Sequence, residues 1–380
     1  MKKPQLNNTI RMAARLLFQG SITLTFDQLP FHFHNVPFKK RVNFLTQGIQ
    51  LMTRSAHPAG IPPILQIEPS NTCNLRCLTC ATGAGLMTRP AALMPFDMFC
   101  RVIDQVKDHA FLLAFWSWGE PFINKDAFRM ISYAKKKGLR VHTSTNGHYL
   151  NTEEQARKII GSGLDSLIVA VDGLDQQTYE KYRKGGNLQS VIHAIENLVA
   201  ERASLGVRHP RITLRFIVMK HNEHQVDQVK EFAKDLGVDV ITFRSAVVRR
   251  AKIDFKETLT PLSTDFQRFD YKKSTSSNGP KRLDNYCHRP YANLTVFSNG
   301  EVVTCENDFN ATLPLGNIAD QSLRNILSSG KARKFYKIFR KDLDQFIFCK
   351  ECESRHMQGH SANIRTVILN RELCSHEKTD

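Results

Sequence analysis

Six apolar strand-sized runs alternating with helix-type segments between residues 64 and 243 limit what this chain can fold into more than any other feature. The runs are "ILQIE" (64–68), "FLLAFW" (111–116), "LRVHTS" (139–144), "LDSLIVAV" (164–171), "RITLRFIVM" (211–219) and "VDVITF" (238–243). Between them "FDMFCRVIDQVKDH" (96–109), "DAFRMISYAKKKG" (126–138), "TEEQARKIIGSG" (152–163), "SVIHAIENLVAERASLG" (190–206) and "EHQVDQVKEFAKDLG" (223–237) carry apolar residues at helical spacing. Thr152 reads as an N-cap, and Gly138 closes its helix. Such alternation predicts a parallel sheet with right-handed crossovers. The units occupy about 180 residues, short of the ~250 of a complete eight-fold barrel. The expected fold is therefore α/β, an open partial (β/α)6 TIM-type barrel with its site at the C-terminal strand ends.

The flanks differ in character. Residues 1–62 form a basic, Phe-rich leader, helical in part, with the patch "FHFHNVPF" and no strand pattern. The barrel is assigned to 63–248. A polar, basic linker containing "YKKSTSSNGPKR" covers 249–284, and a smaller domain covers 285–380. That domain is expected to hold a hairpin, "ANLTVFSNGEVVTC" (292–305), turning at Ser298-Asn299-Gly300, and a helix, "SLRNILSSGKARKFYKIF" (322–339).

With 41% hydrophobic and 23% charged residues, the composition is that of a soluble globular protein. No apolar run approaches the ~20 residues that cross a bilayer, so no transmembrane helix is expected. Arg11 and Arg15 interrupt the N-terminal apolar stretch, and no small-residue cleavage site follows. An amphipathic helix fits this better than a signal peptide, and a cytoplasmic location is expected. The net charge of +17 points to an acidic partner: a phosphorylated small molecule, a nucleic acid or an anionic membrane. No RNA-recognition signature with interleaved aromatics is present, so nucleic acid is not expected. Peripheral membrane contact has no sequence motif behind it.

Nine cysteines without an export signal argue against a disulfide framework. "SNTCNLRCLTC" (70–80) places Cys73, Cys77 and Cys80 at C-x3-C-x2-C spacing just after the first strand. A closed zinc site requires four ligands. A four-iron cubane on three thiolates instead leaves one iron open to a substrate or cofactor. A zinc ion borrowing a distant ligand, or buried free thiols, are the alternatives from spacing alone.

"CNLRCLTC" (73–80) resembles the cysteine motif of the radical SAM superfamily, with Leu78 at the position expected near the adenine. The resemblance implies a [4Fe–4S] cluster whose open iron is chelated by S-adenosylmethionine, cleaved reductively to methionine and a 5′-deoxyadenosyl radical. "WSWGEP" (116–121) resembles the family's GGEP segment, implying that Gly119, Glu120 and Pro121 surround the cofactor's amino group; Trp118 stands where a glycine is expected. "TSTNG" (143–147) resembles the segment meeting the ribose, with Ser144 and Asn146 as candidates. "VAVDG" (169–173) resembles a further strand-end motif that sets Asp172 toward ribose or substrate. In "YEKYRKGG" (179–186), Arg183 is placed to pair with the cofactor carboxylate. Each has a bland counterpart: a strand-end turn, a capping aspartate, a surface arginine.

Cys287, Cys305, Cys349 and Cys352 resemble the ligands of a C-terminal SPASM or twitch extension carrying a second [4Fe–4S] cluster. The full SPASM pattern has further cysteines where Gln358 and Ala362 stand, which favours the shorter twitch form. Cys374 is left over and is a possible replacement ligand; a structural zinc is the alternative for the group. Cys100, on a helix, reads as an ordinary core residue. Glu306, directly after Cys305, is the candidate general base, with Asp308 the weaker one.

The resemblance thus implies an oxygen-sensitive oxidoreductase-type enzyme abstracting hydrogen from a small molecule, with net oxidation through the auxiliary cluster and electrons from a flavodoxin or ferredoxin. A peptide maturase is the alternative within that class. A zinc-stabilised basic nucleic-acid-binding protein is the alternative outside it.

Overall fold

The structure, a computed structural model, describes residues 11–246, 258–267, 287–350, 352 and 363–370. A hairpin of β1 (Ile22–Phe26) and β2 (Leu29–Phe33) comes first, then α1 (Phe38–Thr53). The barrel units follow as β3 (Ile64–Ile67), α2 (Phe96–Val106), β4 (Leu112–Ala114), α3 (Ala127–Lys136), β5 (Arg140–Thr145), α4 (Glu153–Gly161) and β6 (Ser166–Ala170). They continue as α5 (Gln176–Tyr182), α6 (Leu188–Ser204), β7 (Arg211–Val218), α7 (Val229–Asp235) and β8 (Val240–Ser245). β3 to β8 are parallel and lie side by side in chain order. The partial barrel is as expected.

Alternation along the strands divides the two faces. Leu65, Leu113, Val141, Leu167, Leu214 and Ile241 turn outward, into one core with α2, α3, α4 and α6. The opposite face carries polar residues, among them Gln66, His142, Thr213, Arg215 and Thr242, all buried. Polar groups in a barrel interior need partners or a ligand, so this face marks the site.

The C-terminal region holds α8 (Arg289–Ala292), β9 (Asn293–Val296), β10 (Glu301–Val303), β11 (Gly316–Asn317), α9 (Leu323–Leu327), α10 (Gly330–Phe339), α11 (Ile347–Lys350) and β12 (Asn363–Ile368). Its strands extend the barrel's own sheet. β9 runs parallel to β3 on one edge and β12 antiparallel to β8 on the other, giving ten strands in the order β11-β10-β9-β3-β4-β5-β6-β7-β8-β12. Both edges of the half-barrel are thereby covered. The expected linker lies largely outside the described residues, but within it Leu259 is buried beside Tyr182 and Met219.

The leader departs from expectation. β1 and β2 form a hairpin whose turn residues, Asp27 and Gln28, both have positive φ, 55° and 63°, as a two-residue primed turn requires. The alternation of "ITLTF" and "LPFHF" is short and Pro-interrupted, so no strand pattern shows in the sequence. The hairpin plugs the barrel. Leu29 and Phe31 pack with Leu112 and Val240, at the N-terminal ends of β4 and β8. Its tip reaches the polar face, where Asp27 pairs with Arg215 and Arg244. His142 Nε2 lies 4.0 Å from Asp27, but burial, with Arg211 and Arg215 adding to it, holds the imidazole well below its usual range and so neutral.

Candidate active site

The loop after β3 carries the first cysteines, and two glycines let it close. A Cβ on Gly83 would meet Cys77 N at 2.5 Å and its carbonyl oxygen at 2.6 Å. Gly119, at φ +94°, would put a Cβ 2.6 Å from the Ser70 carbonyl oxygen. Glu120 N donates to Thr72 O at 2.8 Å, so the strand-end loop after β4 braces the cysteine loop.

Cys73, Cys77 and Cys80 line one cavity of about 410 Å³ together with Gly119, Glu120, Ser144, Asn146, Arg183, Arg215, Arg289, Glu306 and Cys352. Among the described residues no three His, Cys, Asp or Glu side chains converge closely enough to hold a single metal ion. The three thiols border this shared space. Cys73 Sγ accepts from Leu75 N at 3.4 Å and Asn146 Nδ2 at 3.6 Å, and Cys77 Sγ from Arg183 at 3.6 Å. Burial pushes the Cys73 thiol up to about 12 and Cys77 to about 11. Without a metal both stay protonated, whereas iron would draw off the protons, so the donor set fits a buried cluster.

The other sequence candidates fall into distinct places. Glu120 is buried, and its carboxylate accepts from Thr145 Oγ1 at 2.7 Å, Asn146 N at 2.8 Å and Phe122 N at 3.3 Å. Burial raises it to about 7 despite these donors, which is the condition a bound ammonium would relieve. Asn146 is engaged by Cys73 and, at 2.8 Å, by Asn74 Oδ1. Ser144 lines the cavity. Asp172 is fully buried and absent from the cavity wall; it accepts from Arg183 Nε at 2.5 Å and Ile217 N at 2.7 Å. It therefore holds Arg183, which does reach the cavity. Leu78 packs with the cluster of Leu75 and Tyr182, and it is Leu75 that lines the cavity. Pro121 opens a short 3-10 turn capped by Glu120.

The second cysteine group is assembled from separate segments. Cys287 precedes α8, Cys305 follows β10, and Cys349 and Cys352 lie at and beyond the end of α11, with Cys352 N donating to Cys349 O at 3.0 Å. Asn307 Nδ2 donates to Cys352 Sγ at 3.6 Å, which brings the Cys305 segment to the C-x2-C pair. Burial pushes Cys305 up to about 12, against the pull of Arg289. Cys374, Gln358 and Ala362 lie outside the described residues. Cys100 is half-exposed on α2, facing Tyr133 and not the core.

Glu306 sits where the two groups meet. Its Oε1 accepts from Arg289 at 2.7 Å and its Oε2 from Gln66 Nε2 at 2.6 Å. Burial alone would raise its carboxyl, but Arg289 and Gln66 outweigh that and hold it below the usual range. Trp118, the departure from the expected glycine, donates its indole N–H to Glu306 O at 2.8 Å and stacks edge-on to Phe309, so the ring is built into the junction. Asp308 is taken up by Thr312 and Leu313 as a turn cap.

Sequence reasoning missed four residues at or next to the site. Thr145 is the hydroxyl on Glu120. Glu68 and Arg89 form a buried pair at 2.7 Å, and Arg89 Nε also donates to Phe309 O at 2.7 Å, tying the first cysteine loop to the second group. Arg215 lines the cavity with Asp27 behind it. An arginine inside a β-strand pattern was the available sign for the last.

Known proteins resemble this chain in sequence and in fold. The sequence model of the radical SAM superfamily matches residues 67–233, and that of an iron–sulfur cluster-binding domain, SPASM, matches 287–353. The AdoMet-dependent heme synthase of Methanosarcina barkeri is 26% identical over 314 residues, covering 74% of this chain and 84% of its own. A protein of Pyrococcus furiosus that modifies the cofactor of tungsten-containing aldehyde ferredoxin oxidoreductase is 24% identical over 326 residues, 77% of this chain and 87% of its own. Streptococcus suis SuiB bound to S-adenosylmethionine shares the fold with a TM-score of 0.57 at 15% identity, over 84% of this chain and 78% of that one.

Proposed function

The chain belongs to the radical SAM superfamily and carries a SPASM-type iron–sulfur domain, and from that premise we propose that it oxidises a small anionic molecule by hydrogen abstraction. The carrying observation is the single cavity bordered by Cys73, Cys77 and Cys80 together with Cys352, Arg289 and Glu306. Cys73, Cys77 and Cys80 would hold a [4Fe–4S] cluster that, with S-adenosylmethionine, would supply radical hydrogen abstraction, and Cys287, Cys305, Cys349 and Cys352 would hold a second cluster able to take up an electron.

The residues take the remaining work. Glu120 receives the cofactor's ammonium in a water-poor setting, where a charge-assisted bond is strong. Arg183, held by Asp172, receives its carboxylate, and Ser144 and Asn146 stand at the ribose side. Gly119 and Pro121 shape that wall, and Leu78 packs behind it. Arg215, with Arg244, faces the substrate's negative group. Glu306, ionised beside Arg289, accepts the departing proton and, with its affinity held low, hands it on. A flavodoxin or ferredoxin supplies the first electron.

A small substrate is favoured because the β1–β2 hairpin fills the lower barrel, leaving a cavity at the small end of the ~300–1,000 Å³ typical of small-molecule sites. The test is anaerobic reconstitution. The expected protein is brown, holds about eight irons per chain, and yields 5′-deoxyadenosine on adding dithionite and S-adenosylmethionine. A colourless, zinc-loaded protein that leaves the cofactor intact overturns the reading.

A further inference from the structure

Helix α1 buries polar residues and leaves an apolar stripe exposed. Its buried positions are Lys40, Asn43, Gln47 and Gln50. Phe44 and Leu51 pack inward, but four other apolar residues, Phe38, Val42, Ile49 and Met52, are 71%, 44%, 57% and 59% exposed. They recur at i, i+4, i+11 and i+14, one stripe along a helix of 16 residues, about 24 Å long. The orientation is specified by hydrogen bonds. Asn43 Nδ2 donates to Ile61 O at 2.7 Å, Ile61 N donates back to Asn43 Oδ1 at 2.9 Å, and Lys40 Nζ donates to Gly138 O at 3.3 Å. Rolling the helix to hide its apolar stripe would strand these groups.

The neighbouring segment enlarges the patch. Arg41 donates to Leu17 O at 2.8 Å, setting the helical turn Arg15–Gln19 beside the start of α1, and Phe18 on it is 85% exposed. Exposed large apolar side chains grouped in this way on a folded protein mark an interaction site.

The composition of the amino-terminal segment selects the partner, with Lys39, Arg41 and Arg54 on or at the end of α1 itself. Residues 1–62 contain Lys2, Lys3, Arg11, Arg15, Lys39, Lys40, Arg41 and Arg54, and a single acid, Asp27, which is spent inside the barrel on Arg215 and Arg244. Asp108, from beyond α2, approaches Lys39 at 3.8 Å. A second copy of the chain would bring the same cations against these. An apolar stripe bordered by cations matches the headgroup region of an anionic bilayer, with the stripe seated among acyl chains and Lys/Arg on the phosphates.

We propose that α1 and the adjoining turn dock this enzyme on an anionic membrane surface, lying flat in the interface. No helix among the described residues is long and apolar enough to cross a membrane, so the contact is peripheral. The reading is independent of the chemistry in the barrel.

Vesicle co-sedimentation of the full-length protein tests it. Wild type should pellet with phosphatidylglycerol-containing vesicles, weakly with pure phosphatidylcholine, and less as salt rises. Phe38→Ser with Ile49→Ser should weaken binding by about tenfold or more, with unchanged thermal unfolding and unchanged 5′-deoxyadenosine formation. Lys39→Gln with Arg54→Gln should flatten the salt dependence. The proposal is overturned if wild type stays in the supernatant with anionic vesicles, or if the Ser variant binds as wild type does. It is also overturned if light scattering shows a wild-type dimer that the Ser variant dissolves while neither binds vesicles.

Discussion

The two cysteine groups are built by opposite strategies. Cys73, Cys77 and Cys80 lie in one loop of eight residues, braced from behind by Gly119 and Glu120 and flanked by Asn146 and Arg183. Cys287, Cys305, Cys349 and Cys352 come from segments up to 65 residues apart in sequence, joined only once β9 has paired with β3 and α11 has packed. A local group can be organised before its cluster arrives. A dispersed one becomes a site only in the folded chain, so metal binding there is folding free energy as well.

The largest expected effect separates the two on that basis. Cys73→Ala, Cys77→Ala and Cys80→Ala together should abolish 5′-deoxyadenosine formation and remove about half the iron, with thermal unfolding little changed. Cys349→Ala with Cys352→Ala should remove the other half and lower the unfolding temperature clearly, because α11 loses its tether. Iron analysis with scanning calorimetry checks both. Equal destabilisation by the two sets would break the distinction.

The same contrast explains what the sequence revealed. The barrel was legible because each strand is an apolar run and each helix has its period, both local properties. The first cysteine motif and the Glu120 and Arg183 segments were legible through their resemblance to family motifs, and the structure sets all three around one cavity. The inner hairpin was not. β1 and β2 have Pro30 and scattered polar residues, and they are held by packing against Leu112 and Val240 from far along the chain. The edge pairing of β9 and β12 was equally hidden, since nothing local says which sheet a hairpin joins. Asp172 was read as facing ribose or substrate, whereas its side chain lies off the cavity wall and bonds Arg183, a distinction only side-chain geometry makes.

A second prediction probes the junction. Glu68 and Arg89 are both buried, and Arg89 lies over the Phe297 ring at 3.8 Å while donating to Phe309 O. Arg89→Ala leaves a buried, unpaired carboxyl and should cost about 3–5 kcal/mol. Glu68→Gln with Arg89→Met should recover part of that. Burial already lifts Glu68 from 4.5 to about 7 with Arg89 present. Removing the arginine lifts it further, so the folded state binds the extra proton across a wider range. Stability of Arg89→Ala should then fall as pH rises from about 4.5 through neutrality. Denaturant titrations at pH 5 and pH 8 read this, and a pH-independent loss would show that Glu68 is not the group left behind.

The smallest effect is expected behind the first group. Asp172 touches no cavity space and acts by fixing Arg183, whose guanidinium also reaches Cys77 Sγ. Asp172→Asn keeps the acceptor for Ile217 N but removes the charge that orients Arg183. Iron content should be unchanged, while KM for S-adenosylmethionine rises about tenfold with a smaller change in kcat, the pattern of lost ground-state binding. Arg183→Lys should resemble it, since an ammonium cannot reproduce the guanidinium fork that spans carboxylate and thiolate. If Asp172→Asn instead lost iron, Asp172 would be supporting the cluster through Cys77. The amino-terminal group would then depend on its surroundings as the carboxyl-terminal one does.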